Sequence, residues 1–224
     1  MAVDCRYLLR DSFEYTREAL WARWWRWLIL FGMYIIFPLF KGYTLRIYRG
    51  DRPAPEPGDW GRMFIDGIRV CSILILYFIP VAIVGGIGIV AIRPIIPASI
   101  TDLGPQELSA FIALFGTVLL VVMVLALALS LLSTIGIVRF ARTDRFSEAF
   151  RIPVILAHIR GIGWSGYLIA LTVLWLVSLV YYAISWILGM MPVMGGILAL
   201  FIAPAWGIYS VRFITGIYDS GDFP

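Results

Sequence analysis

Arg46-Ile47-Tyr48-Arg49-Gly50-Asp51-Arg52 recurs further along the chain as Arg139-Phe140-Ala141-Arg142-Thr143-Asp144-Arg145, so one spacing, Arg-x-x-Arg-x-Asp-Arg, occurs twice. A guanidinium carries its N–H donors in a planar fork that fits phosphate or carboxylate bidentately. Arginines three apart share a helix face, so Arg46 with Arg49, and Arg139 with Arg142, can reach a common anion. The chemistry this permits is the holding of anionic lipid headgroups by Arg46, Arg49, Arg52, Arg139, Arg142 and Arg145. Two plainer roles use the same residues. Basic residues set membrane topology by number alone, and Asp51 and Asp144 can pair with them locally.

Reactions are harder to assemble. His158 is the only histidine and stands beside Arg160 in a linker. The serines have neither a histidine–carboxylate set nor a Gly-x-Ser-x-Gly elbow, and no phosphate-cradling Gly-x-x-x-x-Gly-Lys loop is present. Cys5 and Cys71 have no metal-ligand spacing. An enzyme would have to draw on Asp51, Asp59, Asp66, Asp144 and Glu148. The expectation is therefore no catalytic residue, no metal, no cofactor and no enzymatic activity. The pI of 9.2 comes from membrane-flanking arginines rather than a soluble basic face, which argues against nucleic acid as a partner.

The elements that position these arginines are membrane spans. With 61% apolar residues and a mean hydropathy of +0.91, the chain has too little polar surface for a water-soluble globule. Val70–Ile92 and Leu108–Val138 are each uncharged over at least one crossing and Gly161–Val211 over two, at about 20 residues per crossing. Gly189-Met190-Met191-Pro192-Val193-Met194-Gly195-Gly196 supplies the turn inside the last stretch. Trp27–Phe40, extended by Trp24, Trp25 and Gly42–Leu45, is the fifth candidate span. Trp21, Trp24, Trp25 and Trp27 at one end and Tyr43 and Tyr48 at the other read as interfacial belts. The expected class is an all-α membrane protein of about five spans with an internal span–linker–span duplication.

Within this single membrane domain, residues 1–26 form an amphipathic helix in the membrane plane, with Leu9, Phe13, Thr16, Leu20 and Trp24 on one face and an Asp11/Glu14 capping box. Residues 27–106 and 107–190 are the two repeats, and 191–224 the final span and a short tail. Pro53-Ala54-Pro55-Glu56-Pro57 is a stiff spacer. Asp59 and Asp144 are placed to cap interfacial helices from Trp60 and Arg145. Ala126, Ser130 and Thr134 on the third span, and Ala203 with Gly207 on the fifth, give small faces for helix packing or self-association. Pro80 with Gly85-Gly86-Ile87-Gly88, and Pro204, either kink their helices or make them discontinuous.

Lys41, Arg46, Arg49, Arg52, Arg62 and Arg69 flank the first linker, and Arg139, Arg142, Arg145, Arg151 and Arg160 the second; Arg212 joins them, while Arg93 is alone opposite. Both linkers and the C-terminus are then cytoplasmic in a plasma membrane, and five true spans put the N-terminal tail and Cys5 outside. The tail's five arginines fit a rival arrangement better, in which Trp27–Phe40 dips in and returns at Pro38.

Gly42-Tyr43-Thr44-Leu45-Arg46, Asp59-Trp60, Met63-Phe64-Ile65-Asp66-Gly67 and Ile217-Tyr218-Asp219-Ser220 resemble the mainly archaeal membrane family catalogued as domain of unknown function 4013, over nearly the whole chain. The resemblance implies an archaeal plasma-membrane protein and transfers no catalytic residue. A more distant likeness, in the doubled plan only, is to the membrane domain of some glycerophosphodiester phosphodiesterases. The function expected is a non-catalytic membrane-organising, accessory or oligomer-forming protein, with membrane lipids as partners and self-association or another membrane protein beside them. The alternative is a transporter or channel for a neutral or amphiphilic solute.

Overall fold

A computed structural model describes residues 3–93, 104–191 and 193–221, and every regular element among them is helical. Eight α-helices follow one another: α1 (Cys5–Leu20), α2 (Trp24–Ile35), α3 (Phe37–Tyr48), α4 (Trp60–Ile92), α5 (Pro105–Thr143), α6 (Ile152–Ile162), α7 (Trp164–Gly189) and α8 (Met194–Asp219), with a 3₁₀ turn at Phe146–Phe150 before α6. Four of them, α4, α5, α7 and α8, are long and apolar enough to cross a membrane.

The segment expected as the first span is broken. α2 and α3 have 12 residues each and meet at Ile36, whose φ −91 and ψ 82 are not helical. In one continuous helix Arg26 and Tyr43 would lie about 25 Å apart at 1.5 Å per residue. Instead Arg26 Nη2 donates to Tyr43 Oη at 3.3 Å, so the chain doubles back, and Pro38 opens the returning helix because it needs no N–H partner there. Of the five candidate spans, four are thus single long apolar helices and the first is a pair of 12-residue helices. α1 is tied to Arg52 of the first linker and to Arg212 near the end of α8.

α1 begins at Asp4, whose carboxylate accepts from the backbone N–H groups of Arg6 and Tyr7 at 3.0 and 3.1 Å; the cap is not the expected Asp11/Glu14 box. Its buried residues are Leu8, Ser12, Tyr15, Ala19 and Leu20, a face rotated from the expected stripe, of which Leu20 is buried and Phe13 62% exposed. Apolar spacing alone picked the wrong face because Asp11 and Ser12 face protein. Leu8 abuts Gly216, Asp11 pairs with Arg212, and Thr16 shares an apolar groove with Tyr209 and Ala205. α1 therefore runs antiparallel along α8.

The helices form two compact units, Met1–Cys71 with Thr134–Pro224, and Ser72–Ser133. In the first, Leu30, Met33, Phe40, Tyr43, Ile47, Met63 and Ile208 build a core. α3 and α4 touch backbone to backbone: a Cβ on Gly42 would lie 1.8 Å from the Met63 carbonyl oxygen, and one on Gly67 1.7 Å from that of Pro38. The small face of α8 is used in the same way, with Ala203 buried and Gly207 receiving the Phe40 ring. Thr134 hydrogen-bonds the Tyr167 hydroxyl of α7. In the second unit, Gly88 meets Val118 where the two helix arms pack, and α4 continues unbroken through Pro80. Ala126 and Ser130 are half-buried on α5. The two repeats thus differ in their first element, a broken hairpin in 27–106 and the continuous α5 in 107–190.

Candidate functional site

Each Arg-x-x-Arg-x-Asp-Arg motif ends a helix and turns into a linker through one left-handed residue, Gly50 at φ +92 after α3 and Asp144 at φ +54 after α5. Glycine accepts this conformation freely and aspartate better than most residues. Gly50 does more than turn. A Cβ there would lie 2.8 Å from an Nη of Arg142, so its bare backbone makes room for a guanidinium from the other motif. In return Arg49 reaches Asp144 at 3.2 Å, and the two copies interlock.

Around this contact five of the six motif arginines hold carboxylates of the chain itself. Arg49 also lies 3.4 Å from Asp66, a carboxylate with 5% side-chain exposure that Arg69 approaches from the other side at 3.4 Å. Arg46 donates to the carbonyls of Glu56 and Gly58 at 3.3 and 3.2 Å and pairs with Asp59 at 3.6 Å. Arg52 pairs with Asp11, and Arg142 with Asp219. Arg139 gives both Nε and Nη2 to one Glu148 oxygen, at 2.9 and 2.6 Å, while Arg151 holds the other at 2.8 Å. Hydrogen bonds from Arg151 and Arg139 keep the Glu148 carboxyl below the usual carboxylate range. Arg145 is exposed and pairs with no acid among the described residues. The equivalence of the copies stops at partner choice, since Arg49 takes Asp144 whereas Arg142 takes Asp219 and not Asp51.

Asp59 and Asp144, expected as helix caps, serve instead as ion-pair partners, and α6 starts only at Ile152 behind the 3₁₀ turn. Asp11 is the residue that sequence reasoning missed. It bridges Arg212, whose side chain is 6% exposed, and Arg52, and the Arg212 guanidinium also sits 5.1 Å over the Tyr15 ring. Tyr15 in turn donates to the Asp51 carbonyl at 3.0 Å, and burial pushes its hydroxyl pKa up. The only signal in the sequence was an acid adjoining the apolar face of α1. A cavity of 610 Å³ opens between these groups, lined by Tyr7, Asp11, Arg52, Arg142, Arg212 and Asp219 among others. Arg52, Arg142 and Arg212 face Asp4, Asp11 and Asp219 on its wall, a charge-balanced site, and the Ser220 hydroxyl there donates to the Ile217 carbonyl. His158 lies apart from it, stacked on Tyr218 with Nε2 3.0 Å from that residue's carbonyl oxygen.

The geometry accounts for the residues on which the family resemblance rests: Gly42 and Gly67 are the α3–α4 contact, and Asp66 is the buried anchor of Arg49. The family described as protein of unknown function (DUF4013) matches residues 27–190. The chain belongs to the DUF4013 family. No curated protein and no solved structure matches it. The DUF4013 region runs from within α2 to the end of α7 and takes in both arginine motifs, and α1 and all of α8, which close the network through Asp11, Arg212 and Asp219, lie outside it.

Proposed function

We propose that this protein is a non-catalytic membrane-organising or accessory protein, in which the arginine–carboxylate network holds its own unit together and the exposed apolar faces of α4 and α5 are the working surface. One observation carries this reading: the most apolar window of α5 has none of its residues buried. Ile112, Leu119, Leu120, Met123, Val124 and Leu127 are all more than half exposed, a surface that requires lipid, a second copy or another membrane protein against it. The commitment of Asp59, Asp66, Asp144 and Glu148 to arginines supports a structural and not a catalytic role for them. With α1 beside the linkers, the tail's arginines add to the basic face, which supports placing that face in the cytoplasm and the protein in the plasma membrane.

The test is native mass spectrometry of the protein extracted in polymer-bounded native membrane discs. The expected result is a second copy or a membrane protein retained together with anionic phospholipid. A lone chain carrying only neutral lipid refutes the proposal.

A further inference from the structure

α2 starts without a cap. Arg23 occupies the N-cap position, its side chain bonds no N–H of the helix, and no acid stands in the first turn. The first N–H groups of a helix point outward with the positive end of its dipole, which is the arrangement that binds oxyanions. Beside this end sits Arg26, 7% exposed. Its Nη2 donates to Tyr43 Oη, to the Ala54 carbonyl and to the Pro55 carbonyl at 3.3, 2.9 and 2.6 Å, while its Nε is buried without a partner. Arg212, similarly buried, has Asp11 at 2.8 Å. Arg26 pairs with no carboxylate among the described residues, and a buried guanidinium without a counter-charge is costly to hold.

An open cleft of 420 Å³ faces this group, lined by Arg23, Trp25, Arg26, Ile29, Glu56 and Pro57. Its wall carries two cations and one carboxylate, and Glu56 is exposed and can turn outward. We propose that the cleft binds an oxyanion of the phosphate class, received by Arg23, the accessible edge of Arg26 and the uncapped start of α2. Trp25 lines it at 76% exposure, Trp21 and Trp24 are exposed in the same stretch of chain at 76% and 69%, and such tryptophans prefer the headgroup level of a bilayer. The source of the anion is accordingly a phospholipid, a step that rests on the membrane-contact reading above. The assignment differs from the six motif arginines, five of which have carboxylates of their own.

The experiment titrates the purified full chain in neutral detergent with short-chain phosphatidylglycerol, with phosphatidylcholine as the neutral-headgroup control and inorganic phosphate as competitor, read by native mass spectrometry. Phosphatidylglycerol should bind in preference to phosphatidylcholine and be displaced by phosphate. Arg23→Gln should weaken it about tenfold, the worth of one charge-assisted hydrogen bond, and Glu56→Gln should tighten it several-fold. Both residues are exposed, so neither change threatens the fold as loss of the buried Arg26 would. Binding of phosphate without phosphatidylglycerol supports the site and refutes the lipid as source. Phosphatidylglycerol binding that neither variant alters overturns the site while leaving the lipid reading standing. A wild-type chain that binds neither probe overturns both.

Discussion

Gly67→Ala is the sharpest test of how the arginine network is held, because two opposite effects of known size meet at one atom. Alanine favours a helix over glycine by about 1 kcal/mol, so in an open position the change stabilises. At Gly67 the new methyl would lie 1.7 Å from the Pro38 carbonyl oxygen and 3.0 Å from the Gly42 nitrogen. Both are backbone atoms and no rotamer relieves them; α3 and α4 must part by roughly 2 Å to restore ordinary contact. Overpacking of this kind costs about 1–3 kcal/mol, at times more, so the net effect runs from about zero to a loss of about 2 kcal/mol, against a gain of about 1 kcal/mol at an open position. Separation also pulls Arg49 on the α3 side from Asp66 on α4, already at 3.4 Å. The assay is denaturant or thermal unfolding of the detergent-solubilised protein followed by tryptophan fluorescence. Gly86→Ala, at a position with no atom within 4 Å, serves as the control and should be neutral or stabilising. Gly42→Ala should resemble Gly67→Ala, and the double variant should lose less than the sum, since the helices part only once. A Gly67→Ala protein as stable as Gly86→Ala refutes the backbone contact.

Three further outcomes follow from the network. Asp11→Asn leaves Arg212 buried without its charge partner and should destabilise the docking of α1 by about 2–4 kcal/mol, the cation–π contact with Tyr15 recovering part of the loss; hydrogen exchange should then show α1 losing protection while α5 keeps it. Cys5 should react with a membrane-impermeant thiol reagent from the same side as a cysteine placed at Glu56, in vesicles of either orientation, and labelling from opposite sides would restore the fully spanning first segment. Glu148 has its carboxyl pKa depressed by Arg151 and Arg139, so its contribution is full above the unfolded carboxylate range of about 4.3 and is lost as pH falls through its lower folded value. Glu148→Gln should flatten the acid limb of a stability–pH profile, and an unchanged limb would remove Glu148 from it.

By itself the sequence determined the class, the helix-rich membrane character and the family, because these depend on local quantities. Uncharged stretch length fixed α4, α5, α7 and α8, the Gly189–Gly196 breakers fixed the α7–α8 turn, and the Gly42 and Gly67 signals marked what proved to be the α3–α4 contact. The paired arginine motifs were legible too, but their partners were not. Asp11 meets Arg212 across 201 positions and Arg142 meets Asp219 across 77, separations at which no spacing rule operates. Only the tertiary structure decided that five of the six motif arginines hold carboxylates, that α1 lies along α8 on a face rotated from its apolar stripe, and that Trp24–Tyr48 folds back on itself. The reason is the same in each case. A buried charge takes whichever counter-charge the packed helices bring within reach, and a segment about one span long either crosses or returns according to the surface waiting for it, here the Gly207 face of α8 and the Gly67 face of α4.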